Sequence, residues 1–210
     1  MSLRPIRSND SDHPRHIATV LFDGFELLDV FGPLEIFGMV PDRFTMSLIG
    51  PAAGSVRSAQ GPEAIADYSY SDAPPADMVL VPGGIGNRTL LSDKTFLTWL
   101  AEWASAAELI ASVCTGSVML ACAGLLKGYR ATSNKRLFSW AAGHGDDVEW
   151  VPAARWVEDR NRWTSSGYAA GMDMALAIIA RLHGEPLALQ IAHDIELEWQ
   201  SDSTRDRFAE

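Results

Sequence analysis

One cysteine in the sequence stands where a reactive nucleophile is expected. The segment SVCTGS at 112–117 follows a buried, β-branched run and precedes a helical one. A side chain on such a sharp turn is lifted above the edge of the sheet and faces the free amides of the helix N-terminus. Those amides favour a thiolate, and the N–H of Thr115 is then a candidate donor to an oxyanion. The segment therefore predicts a nucleophile elbow with Cys114 as the nucleophile.

The other cysteine predicts no chemistry. Cys122 lies among leucine and alanine residues in the helical run, which is typical of a cysteine that packs as a small hydrophobe. Two cysteines cannot form a disulfide framework, and neither has the histidine and cysteine neighbours of a structural zinc site. We predict neither a metal nor a cofactor.

A glycine-rich turn follows another buried run. The segment PGGIG at 82–86 comes directly after MVLV at 78–81. Glycines let the backbone approach a small ligand closely, and the N–H of Gly84 is a candidate second oxyanion donor. The spacing does not match the G-x-G-x-x-G pattern of dinucleotide sites. A plain turn is the alternative interpretation of this segment.

A candidate proton carrier lies further upstream. Asp29 stands between Leu28 and Val30, which predicts partial burial. A buried carboxyl must be hydrogen-bonded or its pKa rises, and either condition suits it to proton transfer. The alternatives for Asp29 are a helix cap or a loop acid, and we interpret Glu26 and Glu35 as surface or structural acids.

Alternating strands and helices must position these residues. Short apolar runs at 16–22, 44–49, 78–81 and 109–113 predict buried strands, and the stretches between several of them predict helices. This order is typical of an α/β fold with a mostly parallel sheet, whose sites lie at the carboxyl ends of the strands. A first helix is expected to open at Pro33, and later helices at 93–106, 117–125, 136–142, 169–181 and 187–199. Shorter sheet segments are expected near 56 and 65 and at 148–150, 155–158 and 163–165.

Composition limits the class of protein. Of 210 residues, 47% are hydrophobic and 21% charged, which predicts one globular domain over 16–199, with a disordered extension at 1–15 and a flexible tail at 200–210. The formal charge of −10 argues against nucleic-acid binding. The uncharged run 109–126 is long enough to raise the possibility of a membrane span, but its Ser, Thr and Gly content favours a strand and a helix. No signal peptide is evident, so we predict a cytoplasmic protein.

Four segments together resemble the DJ-1/PfpI (ThiJ) superfamily: VLFDGFELLDVFGPLEIF, DMVLVPGG, ASVCTGSVMLACAGLLKGYRATS and RNRWTSSGYAAGMDMALAI. The resemblance covers about 17–199 and is strongest to the isocyanide hydratase branch and to the amidase-like sensor domains of AraC-type regulators. It implies a flavodoxin-like three-layer αβα sandwich and a homodimer. It also implies that Cys114 is the nucleophile, that Asp29 lies beside it, and that Thr115 and Gly84 line the site.

The sequence departs from the family pattern at two places. Many relatives have a histidine after the ATT-like segment, and here Asn134 occupies that position in ATSNK, where it is expected to line the site. None of the five histidines stands at an expected site position, which disfavours a Cys-His peptidase or amidotransferase. Lys135 could lower the thiol pKa if it faces the cysteine. The C-terminal segment after Trp199 also lacks the Pro-Pro-Phe stretch of isocyanide hydratases.

Three hypotheses for function follow. The first is a cysteine-dependent hydratase or lyase acting on a small electrophile such as an isocyanide, with Cys114 as nucleophile and Asp29 as proton carrier. The second is a glyoxalase III-like reaction, which the missing histidine disfavours. The third is a non-enzymatic thiol sensor or binding protein in which Cys114 is oxidised.

Overall fold

A seven-stranded sheet forms the centre of the protein. A computed structural model describes residues 13–209, and the sheet runs in the order β10-β11-β7-β6-β1-β2-β5. Every neighbouring pair in it is parallel except β10 with β11. Its strands are β1 (Arg15–Val20), β2 (Phe44–Gly50), β5 (Tyr68–Ser69), β6 (Met78–Val81), β7 (Leu109–Ser112), β10 (Trp156–Asp159) and β11 (Arg162–Ser165).

Two short two-stranded sheets, seven α-helices and two single-turn 3-10 helices, Tyr70–Asp72 and Lys135–Leu137, accompany the sheet in the described part of the chain. The two-stranded sheets pair β3 (Gly54–Arg57) with β4 (Glu63–Ala66), and β8 (Arg130–Ala131) with β9 (Glu149–Trp150). The helices are α1 (Leu27–Gly38), α2 (Asn87–Leu90), α3 (Lys94–Ala104), α4 (Gly116–Cys122), α5 (Phe138–Ala141), α6 (Ala170–His183) and α7 (Glu185–Asp194). Among residues 13–209, no helix combines the length and hydropathy that a bilayer-spanning segment requires.

The helices cover both faces of the sheet. One apolar cluster joins the sheet to α1, α6 and α7, and a second cluster joins the other face to α3 and α4. The central strands β6 and β7 are buried along their whole length, as expected of parallel strands covered on both sides. The predicted three-layer αβα fold is confirmed.

Strand register brings the predicted site segments together. Thr19 of β1 lies opposite Leu80 of β6, and Val81 lies opposite Ser112 of β7. The three strands therefore end at nearly the same level. The chain leaves them at residues 21, 82 and 113, which places the three expected segments at one edge of the sheet.

Several predicted helix boundaries were wrong. Helix α1 begins at Leu27, so Pro33 lies inside it and does not open it. A proline lacks the N–H for an i→i−4 bond, but the helix continues because α1 packs its apolar side against α6. The last helix ends at Asp194 and not at 199, and the helix after the cysteine ends at Cys122. Asp93 caps α3 by accepting from the N–H groups of Thr95 and Phe96.

The ends of the chain differ from the expected division. Strand β1 already begins at Arg15, and residues 1–12 of the expected extension lie outside the described residues. The stretch expected to be a flexible tail makes specific contacts: the Asp206 carboxylate lies 3.5 Å from Arg155, and the Arg155 N–H donates to the Ser203 carbonyl at 2.8 Å. A buried ion pair between Arg155 and Asp206 therefore holds this stretch to the domain, and a polar composition does not reveal such a pair.

Candidate active site

The cysteine turn has the strained backbone of a nucleophile elbow. Cys114 has a φ of 58°, a left-handed conformation that is uncommon for a residue with a side chain. Three hydrogen bonds hold it there: its carbonyl accepts from the hydroxyls of Ser117 (3.1 Å) and Ser133 (3.0 Å), and its N–H donates to the Ser166 carbonyl (3.0 Å). The strain is therefore supported from three separate segments of the chain.

Two glycines allow the strand ends to approach the elbow. A Cβ at Gly116 would overlap the carbonyl oxygen of Val81. A Cβ at Gly83 would lie 2.7 Å from the Thr115 hydroxyl and 2.9 Å from the Asp29 carboxylate. Glycine at both positions therefore allows the segments after β6 and β7 to meet the start of α1.

Asp29 is fully buried beside the cysteine. It lies in the first turn of α1, and its Oδ2 accepts from the N–H of Gly83 at 2.9 Å. Its Oδ1 is buried without a hydrogen-bond partner of ordinary geometry among the described residues. Burial raises the pKa of Asp29 to about 7. Hydrogen bonds from the Gly83 N–H and, more weakly, from the Cys114 thiol and the Tyr168 N–H lower the pKa by less than burial raises it. Asp29 is thus a carboxyl that can gain or lose a proton near neutral pH.

The thiol does not have the depressed pKa that the elbow predicts. Cys114 is only 5% exposed, and burial together with the Asp29 charge raises the pKa of its thiol well above that of a free cysteine. The Thr115 N–H and the Asn134 amide lower the pKa, but by less. Desolvation outweighs the amides of the short helix α4. The Asp29 carboxylate therefore acts on the Cys114 thiol through its charge.

Asn134 faces the sulfur in a defined orientation. Its Nδ2 donates to Cys114 Sγ at 3.2 Å, while its Oδ1 accepts from the Leu137 N–H at 3.2 Å. Lys135, in contrast, turns away: its Nζ donates to the Thr132 hydroxyl at 2.8 Å and to the Ala154 carbonyl at 2.5 Å. The expectation that Lys135 could place a charge at the thiol was wrong.

One candidate oxyanion donor, the N–H of Gly84, faces the Thr115 side chain. The Gly84 N–H makes only a long contact of 3.4 Å with the Thr115 hydroxyl. That hydroxyl also accepts from Asn87 Nδ2 at 2.8 Å, and the same amide donates to the Thr115 carbonyl at 3.2 Å. Asn87 is a buried side chain that holds α2 to the elbow. Sequence reasoning missed it because the segment after PGGIG has no periodic pattern.

A cavity of about 350 Å³ opens above these groups. Its floor contains buried residues named from the sequence, and its walls add residues that the sequence did not indicate, Arg88, Arg136, Trp140 and Tyr168 among them. No histidine is among its described lining residues. Those lining residues are Glu26, Ala59, Gly84, Ile85, Asn87, Arg88, Cys114, Thr115, Asn134, Arg136, Leu137, Trp140 and Tyr168.

Solved structures share this architecture. A ThiJ/PfpI family protein from Pseudomonas syringae superposes with a TM-score of 0.77 and 29% identity, covering 88% of this chain and 76% of that one. DJ-1beta of Drosophila melanogaster superposes with a TM-score of 0.75 over 89% of this chain and all of that one, at 21% identity. The second likeness is one of fold alone.

Sequence comparisons agree with the structural ones. An isonitrile hydratase of Pseudomonas putida is 33% identical over 184 residues, which are 86% of this chain and 77% of that protein. The HTH-type transcriptional regulator GbdR of Pseudomonas aeruginosa is 32% identical over 188 residues, and the chain matches only half of its length. A model of the DJ-1/PfpI family matches residues 15–181. The chain belongs to the DJ-1/PfpI family.

Proposed function

We propose that the protein is a cysteine-dependent hydratase that converts a small isocyanide to the corresponding N-substituted formamide. The observation that carries the proposal is Cys114 in the lining of a cavity, with Asn134 bonded to its sulfur and the buried Asp29 carboxyl acting on its thiol. A carboxyl with a pKa of about 7 suits proton transfer at neutral pH without a histidine. The similarity to an isonitrile hydratase supports the same reaction.

The first half of the reaction forms a covalent adduct. Ionised Asp29 takes the thiol proton of Cys114, and the thiolate adds to the terminal carbon of R–N≡C. Asp29 then returns the proton to that carbon, which gives the thioimidate R–N=CH–S-Cys. The N–H groups of Gly84 and Thr115 are the candidate donors to the charge that develops during addition.

The second half releases the product. Asp29, now ionised again, takes a proton from water as the water oxygen adds to the thioimidate carbon, and it passes that proton to the nitrogen. Collapse of R–NH–CH(OH)–S-Cys expels the sulfur, yields R–NH–CHO and restores the thiol. One water is consumed, and no external oxidant or reductant is needed.

Non-enzymatic ligand binding is the competing function. Its specific support is the regulator relative, which matches the same stretch of chain. An oxidation sensor has less support, because oxidation favours exposed thiols with a low pKa and Cys114 has neither property. A glyoxalase III-like reaction lacks a histidine among the described lining residues to move a proton between carbons. A homodimer, a cytoplasmic location and the absence of a cofactor stay predictions.

The test is direct measurement of hydration. Purified protein is incubated with an alkyl and an aryl isocyanide from pH 6 to 9, and the formamide is followed by NMR. We expect turnover by the wild type and by Cys122→Ser, a matched control that keeps Cys114, and none by Cys114→Ser. Methylglyoxal serves as the substrate for the glyoxalase alternative. Absence of formamide at every pH with the folded wild type would refute the hydratase.

A further inference from the structure

The active-site cavity changes character from floor to mouth. Its floor is built from the buried Cys114, Thr115 and Asn134, whereas Arg88 and Arg136 are exposed at the walls. Apolar side chains also line the cavity, namely those of Ile85, Leu137 and Trp140. A molecule that reaches the sulfur would therefore leave its far end beside two guanidinium groups.

Neither arginine is neutralised by the protein. Among residues 13–209, Arg88 and Arg136 form no ion pair with a carboxylate, whereas most other arginines of the described chain do. Arg88 instead lies over the Trp140 ring, 5.8 Å from its centroid. The remaining acid of the cavity wall, Glu26, is occupied by the Gln60 amide, which donates to its two oxygens at 2.8 and 2.7 Å.

The two arginines stand on segments that are fixed to the elbow. Asn87 directly precedes Arg88 and is bonded to Thr115. Asn134 precedes Arg136 by two residues and is bonded to the sulfur of Cys114. Arg136 lines the same cavity as Cys114 and Asn134. The arginines are therefore held at set positions relative to the nucleophile.

We infer that the natural substrate carries a carboxylate on the substituent opposite its electrophilic carbon, and that Arg88 and Arg136 bind it at the cavity mouth. A planar guanidinium group can donate two parallel hydrogen bonds to a carboxylate. Two guanidinium groups without a carboxylate partner among the described residues, beside apolar side chains, therefore suit a ligand with an apolar chain that ends in a carboxylate. A protein with a formal charge of −10 repels anions in general, so this local positive pair provides the attraction that admits one. The identity of the substrate rests on the proposed function. The binding of a carboxylate at Arg88 and Arg136 does not.

The test uses electrophiles that need no turnover. N-ethylmaleimide and N-(2-carboxyethyl)maleimide share a reactive group and differ in the carboxylate. Their rate constants for Cys114 are measured by intact mass in a Cys122→Ser background. We expect the ratio of carboxylated to neutral reagent to fall about 3- to 5-fold in Arg88→Gln and in Arg136→Gln, the range of a partly exposed charge pair. It should also fall in 0.5 M salt.

Arg43→Gln is the matched control, because it removes one exposed positive charge that does not line the cavity. The ratio should stay unchanged in this variant. A ratio that is the same in the wild type and in the Arg88→Gln/Arg136→Gln double variant would overturn the inference. If neither a carboxylated isocyanide nor its methyl ester is hydrated while the maleimide ratio behaves as expected, the hydratase fails and the anion site stands.

Discussion

Replacement of Asp29 by asparagine separates two effects of this carboxyl. Its charge raises the pKa of the Cys114 thiol, so the variant should ionise its thiol more readily. In the proposed reaction Asp29 carries the proton, so the variant should also lose catalysis. We therefore expect alkylation of Cys114 to accelerate while isocyanide hydration slows, two opposite changes from one substitution.

The expected sizes follow from burial and charge. A like charge beside an ionisable group moves its pKa by about 1–3, and each step of one is tenfold in the thiolate fraction. Alkylation at pH 8 should therefore be about tenfold faster or more in Asp29→Asn. The thiol remains buried, so its pKa should stay above that of a free cysteine. Loss of general acid–base transfer should lower kcat/KM by about 10²- to 10⁴-fold.

The assay is maleimide alkylation between pH 6 and 10, followed by intact mass in a Cys122→Ser background, beside formamide production by NMR. Glu35→Gln is the matched control, since it removes one carboxylate from the exposed side of the same helix. It should change neither rate. An unchanged or slower alkylation in Asp29→Asn would show that the carboxylate charge does not act on the thiol, and would refute the reasoning.

Three further changes are expected. Asn134→Ala removes the amide that lowers the thiol pKa, so alkylation of Cys114 at pH 8 should slow about 3- to 10-fold, the worth of one hydrogen bond, opposite in sign to Asp29→Asn. Gly116→Ala forces a Cβ into a strand carbonyl and should lower the free energy of unfolding in urea by about 1–3 kcal/mol, whereas Gly38→Ala, in ordinary contact within α1, should not. The pKa of Asp29 is raised to about 7, from about 3.9 when unfolded, so folding takes up a proton between these values. Its stabilisation is complete below the unfolded pKa and is lost as pH rises through 7. The wild type should therefore lose about 2–3 kcal/mol relative to Asp29→Asn between pH 5 and 8 in urea titrations.

The elbow was predictable because its chemistry is local. A cysteine between a buried β-branched run and a helical run, followed by Thr-Gly-Ser, needs no distant contact to be recognised. In the structure this sequence corresponds to the left-handed φ of Cys114 and to the close approach of the Val81 carbonyl to Gly116. The three-layer fold was predictable for a similar reason, since short apolar strands alternate with helices along the chain.

The ionisation of the site was not predictable from the same pattern. A helix N-terminus favours a thiolate, but the direction of the thiol pKa depends on how deeply the sulfur is buried and on which charge faces it. Those contacts come from α1 and from the loop that carries Asn134, far from Cys114 in sequence. The start of α1 was itself mispredicted, because Pro33 was given the first position of a helix that begins six residues earlier.

The mouth of the cavity was hidden for another reason. Arg88 and Arg136 lie in short polar segments that, by sequence alone, read as ordinary exposed turns. They acquire meaning only because Asn87 and Asn134 attach those segments to the elbow. The anion site proposed for these arginines depends on those attachments, which no local sequence pattern shows.

The charges around the cavity determine where a substrate can carry a negative charge. The pKa of Asp29 is raised to about 7, so raising the pH past 7 adds a negative charge that acts on Cys114. A substrate anion placed beside that charge would be repelled, whereas the proposed anion site at Arg88 and Arg136 lies among the exposed residues of the cavity lining. The arrangement therefore favours molecules whose anionic end and electrophilic carbon are far apart. The length of the apolar spacer should decide which of them react.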